Sequence, residues 1–367
     1  MGEAVPVDHA RRRAALDERL RRRGLGTWML VPGPSLAYLT GLAVEQSERL
    51  FLYAHFADGA ALAVCPAFEA ERVGAVLGSV RLIPYRDETG PGAALARALS
   101  MLGTRAVDVA AEFGAMRLSE RAAVEDVVPR ARWHDLSGDL AALRQVKDAE
   151  EIAHVAAAAA IARAAVRAGV DALRPGTKES EVRAACEAVL ASHDSFSPFR
   201  VMVASGPRSA DPHSGTTSRE IRPGDACWVD LGAVVAGYCA DVTRTVVAPG
   251  PGDTEARAAL EAVGSAQDAA LATVRPGVTA AAVDGAARSA LAGRGLAARF
   301  THRTGHGLGL EVHEHPHIVD GNEEPLRPGM VFTVEPGVYV PGAYGVRVED
   351  DVLVTDGGQR VLTGAGA

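Results

Sequence analysis

The spacing of apolar residues changes repeatedly along the chain, and each change marks an element. In HARRRAALDERLRRRGLG (9–26) apolar positions recur every three to four residues, which predicts an amphipathic helix ended by Gly24 or Gly26. TWMLVPG (27–33) is short and apolar and reads as a buried strand, and PSLAYLTGL (34–42) as a turn or short helix running into a glycine. RLFLYAHF (49–56) and GAALAVCP (59–66) resemble paired strands around a turn at 57–59. Helix, strand and helix follow at 67–78, 80–86 and 91–102. Then come a strand at 105–112, a helix at 118–128 with Ser119 as its cap, and a strand at 131–137. This alternation predicts an α/β amino-terminal domain over residues 1–140, a mixed sheet with flanking helices.

Beyond residue 140 the rhythm differs. The charged stretch LAALRQVKDAEEI leads into an alanine-rich helix at 148–173, with Asp148 as cap and acids in the first turn that suit the helix dipole. A helix at 177–193, with Thr177 as candidate cap, is followed by a strand and a Gly-, Ser- and Pro-rich loop holding His213. CWVDLGAVVAGYCADVTRTVV (227–247) reads as a hairpin turning at Ala236 and Gly237. A second helical pair at 253–274 and 279–295 precedes apolar strands at 329–340 and 344–355. The two parts echo each other. IRPGDACWVDLG (221–232) aligns without gaps on LRPGMVFTVEPG (326–337), and LRPGTKESEV (173–182) on VRPGVTAAAV (274–283), at offsets of 105 (221 to 326) and 101 (173 to 274). Residues 141–367 are therefore expected to form an α+β domain of two similar halves, each a helical hairpin followed by a sheet segment, about a pseudo-two-fold junction.

Composition narrows the function classes. The 367 residues are 48% hydrophobic and 23% charged, a folding composition with room for two domains. A net charge of −8, with no basic patch interleaved with aromatics, argues against a nucleic-acid partner. The arginines at 11–13 and 21–23 are expected on the solvated face of the first helix rather than in a binding tail. Four cysteines without CxxC spacing predict reduced, buried thiols. With no signal peptide pattern and apolar runs that are short and broken by charge, neither secretion nor a membrane span is expected, and the cytoplasm follows by default. No GxGxxG or GKS/GKT accompanies a strand, so no nucleotide cofactor is expected.

The candidate chemistry lies between Asp230 and Glu349. Asp230 (WVDLG), Asp241 (CADVTRT), His306 (THRTGHGLGLEVHEH), Glu335 (FTVEPGVY) and Glu349 (GVRVEDD) are metal-ligand types, mostly embedded in apolar, β-prone runs where an unpaired carboxylate would be costly. The repeat superposes Asp230 on Glu335. Four carboxylates and one imidazole suit a pair of divalent ions sharing bridging carboxylates, about 3.5–4 Å apart. Gly305, Gly307 and Gly309 around His306 would allow close backbone approach to whatever the histidine holds. His302, His313 and the loop histidine His213 are candidates for contacting substrate or intermediate, with His315 and His317 at the pocket rim. Thr243 or Thr245 would support a liganding carboxylate, Arg347 would fix a carboxylate or a substrate acid, and Asp350 and Asp351 read as strand-end acids.

These residues resemble the pita-bread metallopeptidases: Xaa-Pro dipeptidase (prolidase), Xaa-Pro aminopeptidase and methionine aminopeptidase, with creatinase as a non-peptidase relative. The ordered Asp, Asp, His, Glu, Glu set is complete, which disfavours creatinase. YLTGL and the α/β pattern resemble the first domain of the prolidase branch, which methionine aminopeptidases usually lack. The resemblance implies a creatinase/prolidase-like domain over 1–140 and a pita-bread catalytic domain over 141–367. It implies two divalent ions, manganese favoured with zinc or cobalt possible, on Asp230, Asp241, His306, Glu335 and Glu349. It further implies hydrolysis of the bond before proline in short peptides, with dipeptidase favoured over aminopeptidase, and a homodimer. Glu335 would take the proton of the attacking water, His313 would stabilise the oxyanion, His302 or His213 would contact the proline side, and Arg347 would stand beside the last ligand. A small-amide hydrolase or a lyase on this scaffold would keep most ligands, whereas a binding module would be expected to lose them.

Overall fold

In the computed structural model, which describes residues 8–56, 58–102, 107–251 and 254–364, the chain divides into two units, residues 1–144 and 145–367. Residues 105–106 of the fifth predicted strand, residue 57 of the first turn and residue 253, the first of the helix expected at 253–274, lie outside the described residues.

The first unit is the expected mixed sheet. Helix α1 (His9–Arg22) buries Leu16 and Leu20 on its apolar stripe, and Gly24 (φ 73°) ends it. The elements that follow are β1 (Trp28–Leu30), α2 (Pro34–Thr40), β2 (Leu52–His55), β3 (Ala61–Pro66), α3 (Ala70–Leu77), β4 (Arg81–Tyr85), α4 (Gly92–Leu99), β5 (Val107–Ala111), α5 (Leu118–Glu125), β6 (Ala131–Asp135) and α6 (Ser137–Arg144). The strand order is β4-β3-β2-β1-β5-β6. The β1–β2 and β2–β3 pairs are antiparallel, and the β3–β4, β1–β5 and β5–β6 pairs are parallel. Ser119 does not cap α5. The Glu120 carboxylate accepts from the Arg117 amide at 2.7 Å and also pairs with the Arg117 guanidinium, which starts the helix one residue before Ser119.

In the second unit the repeat is realised as a duplicated backbone pattern. Its first half contains α7 (Ala149–Ala172), α8 (Glu179–Ser192), β7 (Met202–Ser205), β8 (Ala226–Val235) and β9 (Tyr238–Val247). Its second half contains α9 (Thr254–Thr273), α10 (Ala280–Ala292), β10 (Gly305–Gly307), β11 (Glu314–Ile318), β12 (Val331–Val334), β13 (Gly337–Val340), β14 (Tyr344–Arg347), β15 (Asp350–Thr355) and β16 (Gly358–Val361). Gly176 N–H donates to Ile221 O at 2.9 Å, and Gly277 N–H, 101 residues on, donates to Leu326 O at 2.8 Å. Gly224 and Gly329 adopt the same left-handed turn (φ 86° and 88°) and donate to Ala248 O and Val354 O. Two cores form, one mainly of α7 and α8 against β7–β9 and the other mainly of α9 and α10 against the later strands; Leu308, Val331 and Leu353 join the first, and Ala226 and Val247 the second, so the halves interlock. The strands order as β7-β8-β9, β11-β10-β12-β15-β16 and β13-β14, and a bridge from Thr243 to Glu349 ties the first sheet to the start of β15.

Asp148 caps α7 as expected, accepting from Glu150 and Glu151 N–H. Thr177 does not cap α8. Its carbonyl accepts from Ile221 N–H as part of the repeated ladder, and Glu181, accepting from Lys178 N–H at 2.8 Å, closes the turn one residue later. Helix α7 is less broken by charge than expected: it is long and apolar enough to pass as a membrane span by length and composition alone, a test that a buried core helix also passes. Its alanines explain both properties. Ala158, Ala159, Ala162 and Ala165 are fully buried, and a Cβ on Gly169 would lie 2.5 Å from Cys186 Sγ, so small residues let α7 lie close against α8 and β8. The four cysteines are buried thiols that form no disulfide.

Candidate metal centre

Strand β8 is buried at every position from Ala226 to Ala233, yet it carries Asp230. The hairpin turns at Ala236 and Gly237, both with positive φ as a two-residue turn requires, and this sets the register. Asp230 pairs with Thr243, and Gly232 with Asp241. The two acids are thus diagonal neighbours on one face, not directly opposite. His306 is the middle residue of β10. A Cβ on Gly305 would lie 1.8 Å from Thr333 O, and one on Gly307 would lie 2.1 Å from His315 O. The glycines therefore let β12 and β11 close around His306, rather than admitting a ligand to the backbone. Glu335 follows β12 directly, and Glu349 is held at the end of β14 by its N–H to Thr243 O (3.1 Å) and by Thr243 Oγ1, which donates to Glu349 Oε2 (2.6 Å). Thr243 is thus the supporting threonine, whereas Thr245 Oγ1 donates to Arg347 O.

These strands bring the acids and the imidazole together. One ligand atom from each of Asp241, His306 and Glu349 lies within 4.8 Å of the others. His306 Nε2 is 3.4 Å from Glu335 Oε1 and 3.9 Å from Asp241 Oδ2. Its Nδ1 lies 3.2 Å from Gly307 O, which can only accept, so the proton resides on Nδ1 and the Nε2 lone pair faces the acids. Burial holds His306 down to about 3, with the neighbouring His313 adding to the effect. Burial raises all four carboxylates. Asp241 and Glu349 stand well above the ordinary range because each also faces other acids, and Glu335 is pushed up to about 7 by burial and the Asp230 charge, against the pull of Arg347. Asp230 Oδ1 and Asp241 Oδ1 are buried without a hydrogen-bond partner, a cost of about 1–3 kcal/mol each unless a cation meets them. Orphaned oxygens, crowded acids and an imidazole with its lone pair turned inward are what a metal-binding site requires.

Around the acids runs a chain of donors. Arg347 Nη2 donates to Asp230 Oδ2, its Nε to Thr243 Oγ1 (3.2 Å) and its Nη1 to Tyr339 Oη (2.9 Å). His302 Nδ1 lies 2.8 Å from Arg303 O and must donate to it, so Nε2 accepts from Tyr339 Oη at 3.0 Å. Both nitrogens of His302 are thus engaged within the chain, and burial lowers its pKa to about 4. His313 is exposed and sits edge-on to His306, with ring centroids 4.3 Å apart. His213 is exposed on the loop after β7, near enough for its charge to act on Asp230. His315 and His317 are neighbours at 4.5 Å, with Arg303 Nη1 3.0 Å from His317 Nδ1. Asp350 bonds Arg244, Gln267 and Thr363, and Asp351 Oδ2 accepts from Asp241 N–H; each is a support to the strands.

Residues 153–356 match the sequence model of metallopeptidase family M24, and residues 12–146 that of the creatinase/prolidase N-terminal domain. The chain belongs to metallopeptidase family M24. It is 39% identical to the probable dipeptidase PepE of Mycobacterium tuberculosis over 359 residues, covering 95% of this chain and 93% of that protein. It is 31% identical to the Xaa-Pro dipeptidase of Lactobacillus delbrueckii subsp. lactis, covering 95% of each. The crystal structure of a prolidase from Thermococcus sibiricus superposes with a TM-score of 0.92 at 32% identity, covering 98% of each chain. The two-domain architecture and the pita-bread catalytic fold follow from this membership, and so does metal-dependent peptidase activity, which the buried cluster supports independently.

Sequence reasoning missed two residues that the structure places against the cluster and its donor chain. Tyr339 joins His302 to Arg347; its only signal was a tyrosine in an otherwise apolar strand four residues after Glu335. Thr333 Oγ1 receives the His306 N–H at 3.1 Å and donates to Glu335 Oε1 at 3.3 Å. It stands two residues before Glu335, and nothing local marks it.

Proposed function

We propose that this M24 enzyme hydrolyses the peptide bond preceding proline in Xaa-Pro dipeptides, using two divalent ions, manganese by preference, on Asp230, Asp241, His306, Glu335 and Glu349. The observation that carries the reading is the buried cluster with its two orphaned carboxylate oxygens, in a chain similar over almost its full length to a prolidase and an Xaa-Pro dipeptidase. Oxygen donors with a single imidazole, and no cysteine among them, suit hard divalent cations. The bound ions supply a nucleophilic water at neutral pH and Lewis acidity toward the scissile carbonyl. Glu335 accepts the proton of the attacking water and returns it toward the leaving imino nitrogen. His313 donates to the carbonyl oxygen as it gains charge. His213 lines the proline side with its exposed ring, and His302 does so through its ring edge, since both of its nitrogens are bonded internally. Arg347 holds Asp230 in its orientation. Four buried cysteines that form no disulfide support a reducing, cytoplasmic setting.

The test is hydrolysis of Ala-Pro beside Ala-Pro-Ala and Gly-Pro-Pro, after metal-stripped protein is reloaded with manganese, with Glu335→Gln as the control for contaminating activity. Turnover of the dipeptide alone is expected. Release of the first residue from the tripeptides would instead assign aminopeptidase action. No turnover with two ions bound would overturn the peptidase reading.

A further inference from the structure

The loop that carries His213 begins and ends on one buried carboxylate. Glu179, the first residue of α8, is completely buried. Its Oε1 accepts from Ser205 N–H (3.0 Å) and Ser205 Oγ (2.7 Å) at the loop's start. Its Oε2 accepts from Thr217 N–H (2.9 Å) and Thr217 Oγ1 (2.7 Å) at the loop's end. Arg208, within the loop, adds a contact to Oε2 at 3.1 Å and donates to Gly215 O, closing the loop on itself. On its far side the loop meets the site: Trp228 Nε1 donates to Ser209 O (3.0 Å), and Arg347 Nη1 lies 3.4 Å from Pro212 O.

An acid at the start of a helix ordinarily serves that helix. Here the five donors to Glu179 come from outside α8, whose first turn is already closed by Glu181. The repeat supplies an internal control. At the 101-residue offset Glu179 falls on Ala280, which opens α10 without any carboxylate. The second half has its buried acid one turn later, at Asp284, which accepts from Thr304 N–H and Oγ1 and pairs with Arg288 of its own helix. What sets Glu179 apart is that its second oxygen takes another chain segment, at Thr217, so that it holds both ends of the His213 loop.

We infer that Glu179 is a positioning residue for substrate binding, fixing the loop so that His213 faces the substrate; the inference rests on the proposed substrate-side role of His213. A carboxylate suits the task because it accepts at both oxygens, so two chain segments separated by the whole loop are referenced to one rigid group.

The experiment uses the full-length, manganese-loaded enzyme with Glu179→Gln, an isostere whose amide faces donors with a donor. KM for Ala-Pro is expected to rise about tenfold while kcat and manganese stoichiometry stay within about twofold. Combining Glu179→Gln with His213→Ala is expected to raise KM no further than His213→Ala alone, because both changes act on one contact. Hydrogen exchange of the amides of 206–217 is expected to accelerate in Glu179→Gln. If Glu179→Gln does not fold, Thr217→Val removes one donor at constant shape and is expected to move KM and exchange in the same directions. Additive KM effects, a fall in kcat at constant KM, or loss of manganese would overturn the assignment. If the wild-type enzyme cleaves no Xaa-Pro peptide, the functional reading fails separately, and unchanged loop exchange in the variant would still overturn the clamp.

Discussion

Glu335 combines two demands on one side chain. It lies at the metal cluster and, without a cation, titrates at about 7 because burial and Asp230 oppose its charge. Glu335→Gln removes the proton acceptor but keeps the shape, so hydrolysis of Ala-Pro is expected to fall at least about 10²-fold. The melting temperature of the metal-free protein is expected not to drop, because a strained buried charge disappears with the substitution. Calorimetry beside initial rates checks both. Tyr339→Phe tests the donor chain. It leaves Arg347 Nη1 and His302 Nε2 without their shared partner in a buried setting and is expected to cost about 1.5–3 kcal/mol in urea unfolding, since one of the lost bonds is charge-assisted.

Among the elements, β10 is the most tightly specified. His306 reaches the acids because β11 and β12 approach a strand that has no side chain on either side of it. Gly305→Ala would place a Cβ 1.8 Å from a backbone oxygen that cannot rotate away. The substitution is expected to destabilise the protein by more than about 3 kcal/mol and to lower metal affinity, read from thermal unfolding and metal titration. Element boundaries were less legible than the elements themselves. Ser119 and Thr177 looked like caps because each precedes an acid-rich helical pattern. The real starts were set instead by glutamates three residues into each motif, Glu120 and Glu181, which accept from the backbone of Arg117 and Lys178. Propensity marked the helix, while the hydrogen-bond partner chosen in three dimensions marked its end.

For the whole molecule, the site makes stability depend on pH and on metal together. Asp241, Glu349 and Asp351 have folded pKa values well above their unfolded ones, and Glu335 is at about 7. The folded, metal-free protein therefore binds protons more tightly than the unfolded chain at these acids, and its stability falls as pH rises through about 7. His302 and His306, held at about 4 and about 3, act oppositely: the unfolded chain gains their protons first, so stability is lost as pH falls below about 6.5. The metal-free melting temperature is thus expected to rise as pH is lowered from about 8.5 through about 7, and to rise less steeply below about 6.5, where the two histidines offset part of the gain from the four raised acids. Saturating manganese at pH 8 is expected to remove the alkaline loss and to add about 2.7 kcal/mol at a hundred times its dissociation constant. A metal-free protein that grows more stable toward pH 8.5 would count against the crowded-acid account.

The sequence by itself determined the periods of the elements, the duplicated RPG-containing half and the five ligand-type residues, because each is written in local spacing or in direct self-similarity. It also carried the Ala236 and Gly237 turn, whose residue types permit the backbone that fixes the β8–β9 register. Only the tertiary structure decided which atoms meet. Asp230 and Asp241 became diagonal neighbours through that register, the His306 lone pair was turned inward by Gly307 O, and His302 was tied to Tyr339. The loop of His213 was drawn onto Glu179, 26 residues before Ser205 and 38 before Thr217. Contacts between positions so far apart depend on packing, and no local pattern in the chain records them.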